Sequence, residues 1–139
     1  MTKIEFLYNV DDVTNGIKFV LEKFLKKQNI FIFSNEKKEE LSSVLWSESN
    51  FFPNIIEAEL TTNKQPLEKI LIGSKFDPHF DQLLINVSRS ECPFFSRFLN
   101  LIEIVTDEDN VKNNARNRLN LYRDYGFEVS LIDFRELAH

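Results

Sequence analysis

The stretch LIEIVTDEDNVKNNARNRLNLYRDYGFEVSLIDF, residues 101–134, reads as a strand, a helix and a second strand in succession. Leu101 to Val105 is an apolar run of strand length. Val111, Ala115, Leu119 and Tyr122 then recur at the spacing of one helical face. Gly126 stands where a left-handed C-cap would end that helix, and Val129 to Phe134 supplies the next strand.

Working outward, the same order opens the chain. Ile4 to Tyr8 and Ile30 to Phe33 are strand-length runs. Between them Val13, Ile17, Val20, Leu21 and Phe24 mark a helix of about four turns, with Asp11 or Asp12 placed to cap it. NEKKEELSSVLWS, residues 35–47, predicts a shorter second helix. Ile70 to Ile72 and Leu83 to Val87 add two strands and Ile55 to Leu60 a weaker seventh, with loops at Thr61 to Gln65 and Lys75 to Asp81. Several runs are apolar at consecutive positions, as strands are when helices cover both faces of their sheet. The expected fold is α/β and three-layered: one domain over residues 1–139 with a mostly parallel central sheet and helices on both faces.

Composition narrows the function. At 139 residues, with 42% apolar content, the chain can bury about two-thirds of its unfolded surface around one core. A net charge of −5 argues against a protein that coats nucleic acid. The single cysteine, Cys92, excludes an internal disulfide framework and a multi-thiolate zinc site and fits a reducing compartment. The opening MTKIEFLYNVDD lacks the apolar core of a secretory signal, and no run reaches the ~18 apolar residues of a membrane span, so a cytoplasmic protein is expected.

Candidate chemistry is sparse. Doubly wound folds often bind nucleotides, yet Gly16, Gly73 and Gly126 are all the glycines there are and no two form a phosphate loop; no cofactor is expected. Asp77, His79 and Asp81 in DPHFD alternate as metal ligands can, but Pro78 favours a surface loop. Cys92 with His79 is a conceivable nucleophile pair, against the plainer reading of an inert, partly buried thiol. Glu57 and Glu59 alternate as on the solvated face of an edge strand. His139, the last residue, is expected to be disordered.

Two features stand out. In LWSESNFFPN, residues 45–54, Trp46, Phe51 and Phe52 crowd around polar turn residues, where rigid rings serve protein contacts or close one end of the core. On the last helix, Lys112, Arg116, Arg118 and Arg123 fall within twelve residues that hold no acid, and taking these four charges from −5 leaves −9 on the rest. At about 100° per residue, with Lys112 at zero, Arg116 lies at about 40° and Arg123 at about 20°. These three form a ribbon. Arg118, at about 240°, is either solvated or the partner of a nearby acid. Acids first and cations last also suit the helix dipole, so the ribbon reads as a binding face or as a solvated one.

LW, FFPN, ILIG, DPHFDQLLINVS and ARNRLNLYRDYGF, in this order and spacing, resemble the chi subunit of bacterial DNA polymerase III over essentially the whole chain. The resemblance implies a fold like that of mononucleotide-binding proteins, without nucleotide binding or catalysis. It implies an adaptor that joins the clamp-loader assembly through the psi subunit and grips the acidic, phenylalanine-terminated tail of the single-stranded DNA-binding protein. The family's tail site carries over to Val105, Lys112 and Arg116, with Leu119 flanking, and the ribbon adds Arg123. Trp46 and Phe51 match a tryptophan and a phenylalanine that bind psi or another partner, across a shorter loop. Family members carry an aromatic residue and a lysine where this chain has Leu119 and Asn120. The rival readings are a direct nucleic-acid-binding module and a small hydrolase or metal-dependent enzyme.

Overall fold

The computed structural model describes residues 1–47, 49–60 and 66–137. The loop expected at Thr61 to Gln65, and His139, lie outside the described residues. Seven strands, β1 (Lys3–Val10), β2 (Ile30–Phe33), β3 (Ile55–Ile56), β4 (Ile70–Gly73), β5 (Leu83–Asn86), β6 (Asn100–Thr106) and β7 (Val129–Asp133), form one sheet in the order β3-β4-β2-β5-β6-β1-β7. Every pairing is parallel, so the sheet is wholly rather than mostly parallel.

The consecutive apolar runs have the predicted cause. Along β2, Ile30 and Ile32 face one layer, where they pack with Ile17, Val20 and Leu21 of α1 (Val13–Phe24) and Leu45 of α2 (Lys38–Trp46). Phe31 and Phe33 face the other, with Ala115 and Tyr122 of α3 (Asp109–Asp124) and with Phe95 and Phe98. Part of this second layer is ring packing rather than helix: Phe94 meets Phe31, Phe33 and Phe76 edge-on at centroid distances of 5.6, 5.7 and 5.7 Å.

Three local expectations change. α1 is about three turns long, its first turn held by the Asp12 carboxylate, which accepts from the Thr14 N–H at 2.7 Å. α2 begins at Lys38 because Lys37 adopts a left-handed φ of 56°. The Ile55–Leu60 run pairs only over Ile55–Ile56 and then turns into a short 3-10 helix, Glu57–Glu59. Glu57 is therefore not on a solvated edge. Its carboxylate accepts from the Ser74 and Lys75 N–H groups at 2.9 and 3.1 Å and from Lys38 Nζ at 2.8 Å.

The chain leaves β1 in one direction through α1 and leaves β6 in the other through α3, on opposite faces of the sheet. Between their carboxyl ends lies a cleft of about 720 Å³, the place where such folds bind nucleotides. Here Asp11, Asp12, Asp107 and Glu108 line it, so phosphate would meet carboxylates at both helix N-termini. Among the described residues no helix is long and apolar enough to cross a membrane.

Candidate functional site

α3 is oriented by what it buries. Ala115, Arg118 and Tyr122 face inward, and the helix ends in a Schellman arrangement: Gly126 sits at φ +91°, its N–H donates to Arg123 O, and the Phe127 N–H donates to Tyr122 O. Arg118 is the acid's partner rather than a solvated charge. Its Nη2 lies 3.1 Å from Oε1 of Glu103, which is 0% exposed in β6, and its Nη1 donates to Arg89 O. Tyr122 Oη and Asn86 Nδ2 donate to the other carboxylate oxygen at 2.6 and 3.1 Å. Burial pushes the Glu103 carboxyl above its ordinary range against the pull of Arg118, and burial beside that carboxylate raises the Tyr122 hydroxyl.

With that side of α3 fixed, Lys112 and Arg116 emerge over the sheet. They border an open groove of about 330 Å³ whose apolar surface comes from Phe6, Val105, Ala115, Leu119 and Leu131. Both cations are exposed, and neither ion-pairs with a described carboxylate. The far wall is Tyr8 and Asn9, where β1 shifts register against β6 between Leu7 and Val10. Asn9 takes a left-handed φ of 59°, which asparagine tolerates, and its Nδ2 donates to Asp133 Oδ1 at 3.1 Å.

Four of the five residues expected to bind the tail, Val105 of β6 and Lys112, Arg116 and Leu119 of α3, line one groove. Arg123 shares their ribbon but does not line it. Seven residues beyond Arg116, it lies about 10 Å farther along the axis. The helical angle gives a side chain's face and not its height. Phe6, Tyr8, Asn9 and Leu131 were missed, since they are brought in by the β1 to β6 and β1 to β7 pairings.

The second feature lies elsewhere. Trp46 is the last residue of α2, inside the helix expected at residues 35–47, and its indole N–H donates to Asn54 O at 3.0 Å. Phe51 meets it edge-on at 6.3 Å between centroids. Trp46 is 44% and Phe51 66% exposed, whereas Phe52 packs against the core. Phe51 holds this position in a left-handed conformation, φ 50°. A charge-bordered groove and an aromatic pair both suit protein ligands better than small-molecule chemistry.

The remaining candidates fall to ordinary structural roles. Asp77 caps its own turn, accepting from the His79 N–H at 2.8 Å, with His79 Nδ1 at 3.1 Å. No group of three or more His, Cys, Asp or Glu able to hold a metal occurs among the described residues. Cys92 is buried among phenylalanines, and burial pushes its thiol up to about 12, which leaves no thiolate at neutral pH. The model of the protein family described as DNA polymerase III chi subunit, HolC, matches residues 1–130. No curated protein matches the chain.

Proposed function

The chain belongs to the DNA polymerase III chi subunit family, a replisome component, and on that premise we propose that it is a non-catalytic adaptor. Its groove takes the acidic, phenylalanine-terminated tail of the single-stranded DNA-binding protein. Its Trp46 and Phe51 surface docks the psi subunit and so reaches the clamp loader. Its place of work is the cytoplasm.

One observation carries the reading: two cations, Lys112 and Arg116, with no ion-pair partner among the described residues, border an apolar groove built from β1, β6, β7 and α3. The chemistry of the tail fits each part. A guanidinium can hold a terminal carboxylate through two parallel hydrogen bonds, and an ammonium attracts neighbouring aspartates. Val105, Leu119 and Leu131 offer the phenylalanine ring an apolar seat. Arg123 adds longer-range attraction.

The test is a fluorescence titration of a peptide ending in aspartates and phenylalanine. Arg116→Ala is expected to lose about 1.5–3 kcal/mol, on the order of 10- to 100-fold in affinity. Equal affinity for wild type and variant would overturn the assignment. Binding of oligonucleotides with a steep salt dependence would instead assign the cations to phosphate.

A further inference from the structure

β7 is an open edge of the sheet. It ends the strand order beside β1, and no described strand pairs with its outer side. Natural edges are commonly blunted by lysine, proline or a bulge. The β7 sequence VSLID has no lysine or proline, and the irregular register lies between β1 and β6 instead.

The direction of its main-chain groups follows from the ladder. In a parallel pair, successive residues turn their N–H and C=O groups alternately toward and away from the neighbouring strand. Ile4, opposite Val129, donates to Glu128 O. Ser130 and Ile132 therefore face β1, and the main-chain groups of Val129 and Leu131 face outward. Leu131 is also 54% exposed, and its side chain lines the groove beside Lys112 and Arg116. The groove thus opens onto backbone that no described strand pairs.

We infer that a peptide whose acidic, phenylalanine-terminated end fills the groove continues backward along β7 as an added strand, its main chain pairing with Val129 and Leu131. This rests on the groove being the tail site. A peptide leaving the groove has amide groups to satisfy, and β7 offers complementary donors and acceptors within the same surface. Glu128 is exposed at the head of the edge, and Asp133 at its end is already held by Asn9 and Arg135. Among the described residues the edge therefore offers the peptide's acids no free cation except at Lys112 and Arg116, and the paired segment is an uncharged stretch preceding those acids.

Two peptides separate the outcomes: one carrying only the acidic-phenylalanine terminus, the other extended upstream by an uncharged segment as long as β7. The longer peptide is expected to bind about tenfold tighter. It should also slow hydrogen exchange at the Val129 and Leu131 amides, which the short one should not. N-methylation at one set of alternate upstream amides should return the long peptide to the short one's affinity, and methylation of the other set should not. Equal affinity of the two peptides without amide protection overturns this inference and leaves the groove reading intact. Failure of both peptides to bind overturns both. Concentration-dependent self-association that protects the Leu131 amide without peptide would assign the edge to a second copy, and also overturns it.

Discussion

Arg118 Nη2 lies 3.1 Å from Glu103 Oε1, both side chains shut away from solvent between α3 and β6, on the side of the helix opposite the groove cations. The pair decides which way α3 faces. A carboxylate buried in a strand of apolar neighbours is tolerated only when it is paired and hydrogen-bonded; its partners are Asn86 of β5 and Tyr122 and Arg118 of α3, and Arg118 is itself held by the backbone carbonyl of Arg89. Any rotation of α3 that moved Lys112 and Arg116 would break the contacts that Arg118 and Tyr122 make.

Arg118→Met should therefore lose about 3–5 kcal/mol near neutral pH, because it leaves the Glu103 carboxylate buried without its cation. The pH dependence has a definite sign. Burial already raises the Glu103 carboxyl against the pull of Arg118, and removing that pull raises it further in the folded state only. The folded variant then takes up a proton more readily than the unfolded chain, so its stability rises relative to wild type as pH falls. Urea denaturation at neutral and mildly acidic pH should show the deficit shrinking in acid; a constant deficit would contradict the pairing.

Glu57 behaves in the opposite sense. Burial pushes its carboxyl up, but Lys38 and the donors at Ser74 and Lys75 outweigh it and hold the group below its ordinary range. A lowered folded pKa contributes stability above the unfolded value, about 4.3, that is lost as pH falls through the folded value. Glu57→Gln should cost about 1–2 kcal/mol at neutral pH, with the difference from wild type vanishing in acid. Gly73 belongs to the same unit: a Cβ there would stand 2.6 Å from Glu57 Oε2, so Gly73→Ala should displace the carboxylate and flatten the same part of the pH profile.

Phe51 separates contact from fold. Its ring is mostly exposed and its backbone holds a conformation that phenylalanine disfavours. Phe51→Gly removes both the ring and that strain, so denaturation should find the variant within about 1 kcal/mol of wild type or more stable. Its affinity for psi, the partner proposed to dock on Trp46, should fall by about 1 kcal/mol or more. A large loss of stability would show that the ring serves the fold.

The strands were legible because consecutive apolar residues leave few alternatives to a doubly covered sheet, and α3 because its stripe and Gly126 agree. The groove was half legible. Periodicity placed Lys112 and Arg116 on one face, but it carries no information on strand order, which brings Tyr8 and Leu131 to the other wall. Glu103 gave a signal that went unused: one acid inside the run LIEIV demands a cation, and Arg118, off the ribbon, was the unassigned one. Glu57 was misread because two alternating acids look alike whether the strand continues or turns inward.

Arg116, Asn120 and Arg123 test the groove's limits. Arg123 stands about 10 Å along the helix from Arg116, near one Debye length at 0.1 M salt, so Arg123→Ala should weaken tail binding by less than about 0.5 kcal/mol and by nothing measurable in high salt. Arg116→Ala, which would remove the proposed direct contact, should keep most of its effect there. Asn120 is exposed one turn from Arg116, on the outer side of the helix beyond it, and does not line the groove. Asn120→Lys should strengthen binding of an acidic peptide by about 0.5 kcal/mol at low salt through added attraction. It should also lower stability by about 0.2–0.5 kcal/mol, because a lysine at i+4 from Arg116 repels it. Titration and thermal unfolding of the same variant would show the two effects with opposite signs; a gain in both would mean that Arg116 already holds an unrecognised acid.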